Sequence, residues 1–371
     1  MSAESLIQKH KLSECLQCGI CTGGCPVAIR SGLNVRRYMR EVSISRRIML
    51  DRQNELWSCT TCSTCSIRCP KDLNPHEFLI DLRSMCVEEG RIRPTIREAL
   101  ENIFKYGTPW AKSRVRRGEW AQGLNVKHFS QGSEILYFVG CTSSYDPRVQ
   151  NVARTLALCL QKAGVNFGIL GEEESCCGNE VYSMGEKGLF EFLVENNMQA
   201  FNRHSIRKIV TNCPHGFNVF KNRYSHASFE TLHHTQILAQ LIDDNTLKLE
   251  KKLDFQVIYH DPCFLGKQNG VFEEPRKILE SIPGVKLLEF NRSRAQSLCC
   301  EGGGGRMWID IPGPKLAEMR VREAVEAGAN IIAVACPFCL IAIEDAIKTT
   351  NNDGKIQVKD IVELAAETIQ P

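Results

Sequence analysis

The sequence predicts an α+α/β protein: an all-helical, cysteine-loaded N-terminal module followed by two tandem, duplicated α/β domains. Three observations carry that prediction. Two cysteine runs of one design fall within residues 15–70. Later cysteines recur at a fixed offset. Cys141 to Cys263 is 122 positions, and Cys176 to Cys299 and Cys213 to Cys336 are each 123. Chance cysteines do not keep such an offset, so the second part of the chain is an internal repeat. Through both copies, short β-branched apolar runs alternate with longer helical patterns, as they do in α/β domains.

Composition narrows the function. A chain of 371 residues fits two or three domains, and 43% hydrophobic with 24% charged residues is a globular balance. Nineteen cysteines are the exception. Disulfide scaffolds are usually short, and this chain is long enough to bury cores without staples. An odd count also opposes complete pairing. The opening MSAESLIQKHKL has no apolar run of signal-peptide type. No stretch reaches the roughly 18 uninterrupted apolar residues of a spanning helix. The expectation is therefore a cytoplasmic, reducing setting, no transmembrane segment, and cysteines that hold metal or do chemistry. Residues 1–127 hold 21 Lys/Arg against 13 Asp/Glu, and the remainder 25 against 30. Anionic thiolate-bound clusters would offset that basic N-terminal excess. No nucleic-acid-binding signature accompanies it, so no nucleic-acid partner is expected.

The elements divide the chain into a helical module over 1–106, a linker over 107–132, and α/β domains over 133–252 and 253–371. The linker reading rests on GTPWAKSRVRRGEWAQGLNVKHFSQG, rich in Arg, Gly and Trp. Strands are expected at EILYFVG before Cys141, KIVTN before Cys213, QVIYHDP before Cys263 and NIIAVA before Cys336. Asp146-Pro147 reads as an N-cap followed by proline at the first helical position, opening a helix that Gly164 stops. PKLAEMRVREAVEAG reads as another helix, ended by Gly328. Several cysteines then fall just past strand C-termini, where α/β sheets place their ligands.

The first cysteine block is the most specific. CLQCGICTGGCP supplies Cys15, Cys18, Cys21 and Cys25, and CTTCSTCSIRCP supplies Cys59, Cys62, Cys65 and Cys69. Both read C-x2-C-x2-C-x3-C-P, the run of two-cluster ferredoxins, in which the fourth cysteine serves the other cluster. Two-residue spacings bring three thiolates onto one cubane from a tight loop, and the turn aims backbone N–H groups at the sulfides. The predicted ligand sets are Cys15, Cys18, Cys21 and Cys69 for one [4Fe–4S] cubane, and Cys59, Cys62, Cys65 and Cys25 for the other. Zinc takes its ligands as two pairs or with histidine, which eight cysteines in this order do not offer. Helical patterning between Cys25 and Cys59 and after Cys69 favours an all-helical module over the compact βαββαβ form.

The last block reads C-x35-CC-x35-C-x2-C through Cys263, Cys299, Cys300, Cys336 and Cys339. It matches no zinc, haem or redox pattern. Five thiols from three loops suit a cluster larger or more distorted than a cubane. Here the chain resembles the cysteine-rich CCG domains of heterodisulfide reductases and related iron–sulfur oxidoreductases, and its first block resembles their small ferredoxin subunit. The whole then looks like a fusion of the ferredoxin subunit with the two-CCG-domain subunit. The resemblance implies a non-cubane [4Fe–4S] cluster on those five cysteines. It also implies a chemistry, cleavage of the coenzyme M–coenzyme B disulfide at paired clusters.

Two departures qualify that implication. The middle block has Cys141, Cys176, Cys177 and Cys213, but then Pro214, His215 and Gly216. The fifth cysteine is replaced by Gly216. Four cysteines can still hold a further [4Fe–4S] cluster, and His215 is an additional candidate ligand. The last block reads CCE, with Glu301 in the glycine position. A carboxylate beside a cluster lowers its reduction potential unless it is protonated or faces solvent.

Other residues carry milder expectations. Cys159 lies on the helical stripe Val149, Val152, Leu156, Cys159, Leu160, Ala163 and reads as a core thiol, as does Cys86. Gly302–Gly305 lacks the Lys-Ser/Thr of a phosphate loop and reads as close backbone approach to a cluster. His233 and His234 read as surface or cap residues. Lys267, Arg306 and Trp308 flank the last block and can either pack or meet an anionic substrate or partner.

Neither a dinucleotide fingerprint nor an acid–base constellation is evident. The expected function is an iron–sulfur electron-transfer subunit of a multisubunit, heterodisulfide reductase-like oxidoreductase. It would pass electrons between a flavin-containing redox subunit and another redox subunit. The alternative is a catalytic subunit that reduces a disulfide or thiol-derived substrate at the CCG clusters. No catalytic residue is assigned.

Overall fold

The computed structural model describes residues 1–130, 132–224 and 228–369. Among the described residues the regular structure of 3–106 is helical, with main helices Ala3–His10, Val35–Ser43, Pro75–Glu88 and Pro94–Tyr106 joined by loops. Val35–Ser43 shows why. Its buried residues Val35, Tyr38, Met39 and Val42 recur at one-face spacing, and Asn34 caps it by accepting from Arg37 N at 2.9 Å. Cys86 lies in the core of this module.

Two four-stranded parallel sheets follow. The first comprises β1 (Ile135–Tyr137), β2 (Phe167–Gly168), β3 (Lys208–Thr211) and β4 (Glu230–His233), in the order β2-β1-β3-β4. The second comprises β5 (Gln256–Tyr259), β6 (Lys286–Leu288), β7 (Ile331–Val334) and β8 (Gln357–Asp360), in the order β6-β5-β7-β8. Every pairing is parallel. The apolar runs of β1 and β7 are buried along their whole length, as strands covered on both faces require. Register repeats with the sequence: Tyr137 pairs with Val210, and Tyr259 with Ala333.

The cap at Asp146 forms, accepting from Arg148 N and Val149 N at 3.0 Å, and the helix runs Pro147–Lys162. Gly164 follows at φ 68, where glycine ends a helix without strain. Cys159 is buried on this helix. The other expected helix spans Leu316–Glu326, with Gly328 at φ 74.

The two sheets share one apolar core, in which Tyr137 and Val210 pack in a common cluster with Tyr259, Ile332 and Leu340. A second core joins the helical module to both α/β domains through Trp57, Phe78, Val181, Met184, Phe264 and Leu316. The 107–132 stretch packs closely. It forms a helical turn over Arg114–Ala121, buries Arg117 and Trp120, and inserts Phe129 beneath Leu170 and Phe201.

Candidate metal centres

The strand order explains where the cysteines gather. In each sheet the chain reverses its winding between the two central strands, and ligands collect at the strand C-termini beside that point. Cys141 follows β1 and Cys213 follows β3, while Cys263 follows β5 and Cys336 follows β7. The adjacent pairs Cys176-Cys177 and Cys299-Cys300 arrive on the loops after β2 and β6.

The pair loops share a conformation. Gly178 has φ 86 and its N–H points at Cys176 Sγ, 3.4 Å away. Glu301 has φ 69 and its N–H points at Cys299 Sγ, 3.3 Å away. The left-handed turn is thus what the glycine of this motif serves, and Glu301 adopts it at the cost of some strain. The ferredoxin-like loops work similarly. Gln17 and Gly19 have φ 54 and 84, and Thr61 and Ser63 have φ 52 and 61. Thr61 N–H donates toward Cys59 Sγ at 3.4 Å.

The sulfurs fall into adjoining groups. Cys15, Cys18, Cys21 and Cys69 line one recess with Arg36 and Lys71, and Cys18 is exposed. Cys59, Cys62 and Cys65 are buried, and Cys25 joins them. Burial first, then the charges of Cys59 and Cys62, push the Cys25 thiol up. Cys62 lies in hydrogen-bonding contact with Cys299, which with burial raises its thiol. Cys299 also meets Cys263. Cys300 and Cys339 lie 3.2 Å apart, sulfur to sulfur. Burial would raise Cys336, but bonds to Cys339 and His215 bring it down to about 5. Cys141, Cys176, Cys177 and Cys213 line a small cavity of about 40 Å³, closed by Trp308 and Phe338 of the last domain.

His215 stands between the two cysteine-rich groups. Its Nδ1 lies 2.7 Å from Glu180 Oε1, its ring packs on Phe264 and Phe338, and it hydrogen-bonds Cys336. Burial would lower the imidazole, but Cys336 and Glu180 raise it to about 10. His215 lines the first cavity, and its bonds run to Glu180 and to a cysteine of the second group. Burial and the neighbouring Arg320 charge lower His260 to about 3, so that ring is neutral.

Several expectations are corrected. Glu301 does not add an uncompensated charge. It accepts from Arg30 Nη1 at 2.7 Å and Leu316 N at 2.7 Å, with Arg306 Nη2 at 3.5 Å. The two guanidinium groups would offset its charge toward a bound cluster. The glycine run approaches more than a cluster site. A Cβ at Gly304 would stand 2.8 Å from Cys59 O, one at Gly302 2.9 Å from Phe338 Cβ, and one at Gly305 2.9 Å from Met184 Cγ. The run is where three modules touch. His233 and His234 are buried rather than superficial. His233 caps the helix His234–Asp243, and His234 Nε2 lies 3.1 Å from Asp360 Oδ1. Of the two roles expected for Lys267, packing is the one seen: it is buried and donates to Thr64 Oγ1 at 2.9 Å.

Two arginines escaped the sequence reading. Arg117 is 1% exposed; it donates to Glu174 Oε1 at 2.8 Å and reaches Cys141 Sγ at 3.5 Å. Glu174 in turn accepts from Val139 N and Gly140 N, both at 2.9 Å. Burial opposes the Arg117 charge, but Cys141 and Glu174 hold it. Arg83 is fully buried and donates to Cys59 O at 2.5 Å, Leu56 O at 3.0 Å, Ser183 O at 2.8 Å and Gly304 O at 3.1 Å. Neither is legible locally, because each partner lies far away in sequence.

Family models place cysteine-rich (CCG) domains at residues 135–221 and 257–344 and a 4Fe-4S dicluster domain at 11–73. One subunit of the dihydromethanophenazine:CoB–CoM heterodisulfide reductase of Methanosarcina barkeri is 32% identical over 98% of this chain and 95% of its own length. The chain belongs to the CCG-domain iron–sulfur oxidoreductases. Other members are longer. The probable iron-sulfur-binding oxidoreductase FadF of Bacillus subtilis is 36% identical over 85% of this chain and 47% of its own. The EtfAB:quinone oxidoreductase of Syntrophomonas wolfei is 32% identical over 83% and 46%. This CCG-domain chain therefore spans about half the length of those two relatives. A solved structure of a hypothetical Helicobacter pylori protein shares the fold, with a TM-score of 0.54 and 12% identity over 100% of this chain and 72% of that one. Among the described residues, no helix is long and apolar enough to cross a membrane.

The donor sets fit the clusters that these domains imply. The groups are built of thiols, the ligands iron–sulfur clusters use, with backbone N–H groups aimed at the sulfurs. A bound [4Fe–4S] cluster supplies reversible one-electron storage. The chain's own residues exclude water, present thiols and set the surrounding charge.

Proposed function

We propose that this chain is a cytoplasmic iron–sulfur relay of a multisubunit oxidoreductase, carrying electrons between a flavin-containing subunit and another redox subunit. Two cubane clusters would sit on Cys15, Cys18, Cys21 and Cys69 and on Cys59, Cys62, Cys65 and Cys25. A non-cubane cluster would use Cys263, Cys299, Cys300, Cys336 and Cys339, and a further [4Fe–4S] cluster Cys141, Cys176, Cys177 and Cys213. The modules 1–106, 133–252 and 253–371, with 107–132 between them, are the units of this reading. The adjacency of Cys62 to Cys299 supports a direct hand-over from the ferredoxin-like module to the last domain. The exposure of Cys18 supports electron entry or exit at that end.

The observation that carries the relay over catalysis is Gly216. It stands in the fifth-cysteine position of the first CCG site, and a paired catalytic site tolerates such a loss poorly. The second reading is disulfide reduction. It is favoured by the near-full-length match to a heterodisulfide reductase subunit and by the cavity between the two cysteine-rich groups.

Iron and sulfide quantitation with EPR on anaerobic protein tests the cluster content. About 16 irons are expected, against about 12 if the first CCG site stays empty. Zinc without iron overturns the reading. Rapid cleavage of the coenzyme M–coenzyme B disulfide by the isolated chain, given a low-potential reductant, overturns the relay in favour of catalysis.

A further inference from the structure

We infer that His260 is a nitrogen ligand to iron in the second cysteine-rich site, giving that site mixed sulfur and nitrogen ligation. The inference rests on the reading of that site as an iron–sulfur centre. Three observations carry it.

The first is position. His260 follows β5 directly and is 1% exposed. One of its ring nitrogens and the sulfurs of Cys300 and Cys339 all lie within 4.8 Å of one another. That separation suits three donors around one metal ion. Among the described residues, this is the one set of three such side chains brought so close.

The second is an unmet bond. His260 Nδ1 is buried without a hydrogen-bond partner. A bare polar atom in a dry interior is costly, so its retention calls for a reason. Histidine is the commonest protein ligand to metals, and it binds them through a neutral imidazole nitrogen.

The third is the duplication. Phe138 N–H donates to Val210 O at 2.8 Å, and His260 N–H donates to Ala333 O at 2.9 Å. Val210 and Ala333 are themselves equivalent, 123 positions apart in paired registers. His260 and Phe138 therefore occupy the same station in the two copies. Phe138 lines the cavity of the first cysteine group, and its ring packs on Phe201 and Phe220. The copy with all five cysteines has an imidazole there. The copy with four has a phenyl ring, which cannot bind metal. Mixed ligation would thus be a second difference between the two sites. A neutral imidazole brings less negative charge to iron than a thiolate, which raises the potential, as histidine ligation does in Rieske centres.

The test is pulsed EPR on the anaerobic, reduced full-length protein labelled with 15N-histidine. A strong 15N hyperfine coupling is expected. It should vanish in His260→Phe, which borrows the residue of the other copy, with iron content unchanged. It should also vanish in His260→Cys, and it should persist in His215→Asn. A parent without strong 15N coupling, or coupling that survives His260→Phe, overturns the inference and leaves the cluster reading standing. Iron analysis showing the second site empty overturns the cluster reading instead.

Discussion

Two substitutions test the first CCG site residue by residue. A Cβ built on Gly216 meets nothing closer than Thr211 Oγ1 at 3.5 Å, and the helix Pro214–Asn222 needs no glycine there. Gly216→Cys should therefore fold, with stability unchanged or raised by up to about 1 kcal/mol, measured by urea denaturation. It should restore a five-cysteine set and change the EPR signal of that site alone. Removing the Arg117 charge acts in the opposite sense. Arg117→Met leaves Glu174 buried against two N–H groups and strips a cation from Cys141. We expect a loss of about 3–5 kcal/mol and a lower reduction potential at that site, read by redox titration. The cysteines at both sites were legible in the sequence because their spacing is chemically constrained. Arg117 was not. It lies among four basic residues in KSRVRRG, and its partner Glu174 is distant in the chain. Glu301 was legible as a departure, but its neutralisation by Arg30 was hidden by the 271 positions between them.

At the scale of elements, the helix Pro75–Glu88 links the ferredoxin-like module to the first CCG domain. Glu77 on it meets Arg223 and accepts from Tyr182 Oη at 2.6 Å. Burial would raise this carboxyl, but His76, Arg223 and Tyr182 lower it from 4.5 to about 2. The folded value lies below the unfolded one, so the contribution is present above about pH 4.5 and lost as pH falls toward 2. It is at most about 3 kcal/mol. Urea midpoints of the anaerobic protein should fall between pH 5 and pH 3 less steeply in Glu77→Gln than in the parent. Strands and crossover helices were legible from period and caps, as Asp146 and Gly164 show. The meeting of elements was not. Gly302–Gly305 announced a close approach but could not say to what, since backbone from Cys59–Thr60 supplies half of it.

Across the whole molecule, the duplication and the helical start were readable because they repeat or keep a period. The arrangement of the modules was not, because it depends on single long-range contacts. Arg83 is the clearest of these, with its four carbonyl partners drawn from all three modules. Arg83→Met should leave those carbonyls unbonded in a dry interface, costing several kcal/mol. Limited proteolysis should then cut near residues 107–132 faster than in the parent. The shared apolar cores and this one guanidinium tie the three modules together. Carriers that swing a domain between donor and acceptor slow down in viscous solvent, because their turnover waits on diffusion. Here the redox groups would be held at fixed separation, so internal electron transfer should proceed at the same rate in water and in glycerol.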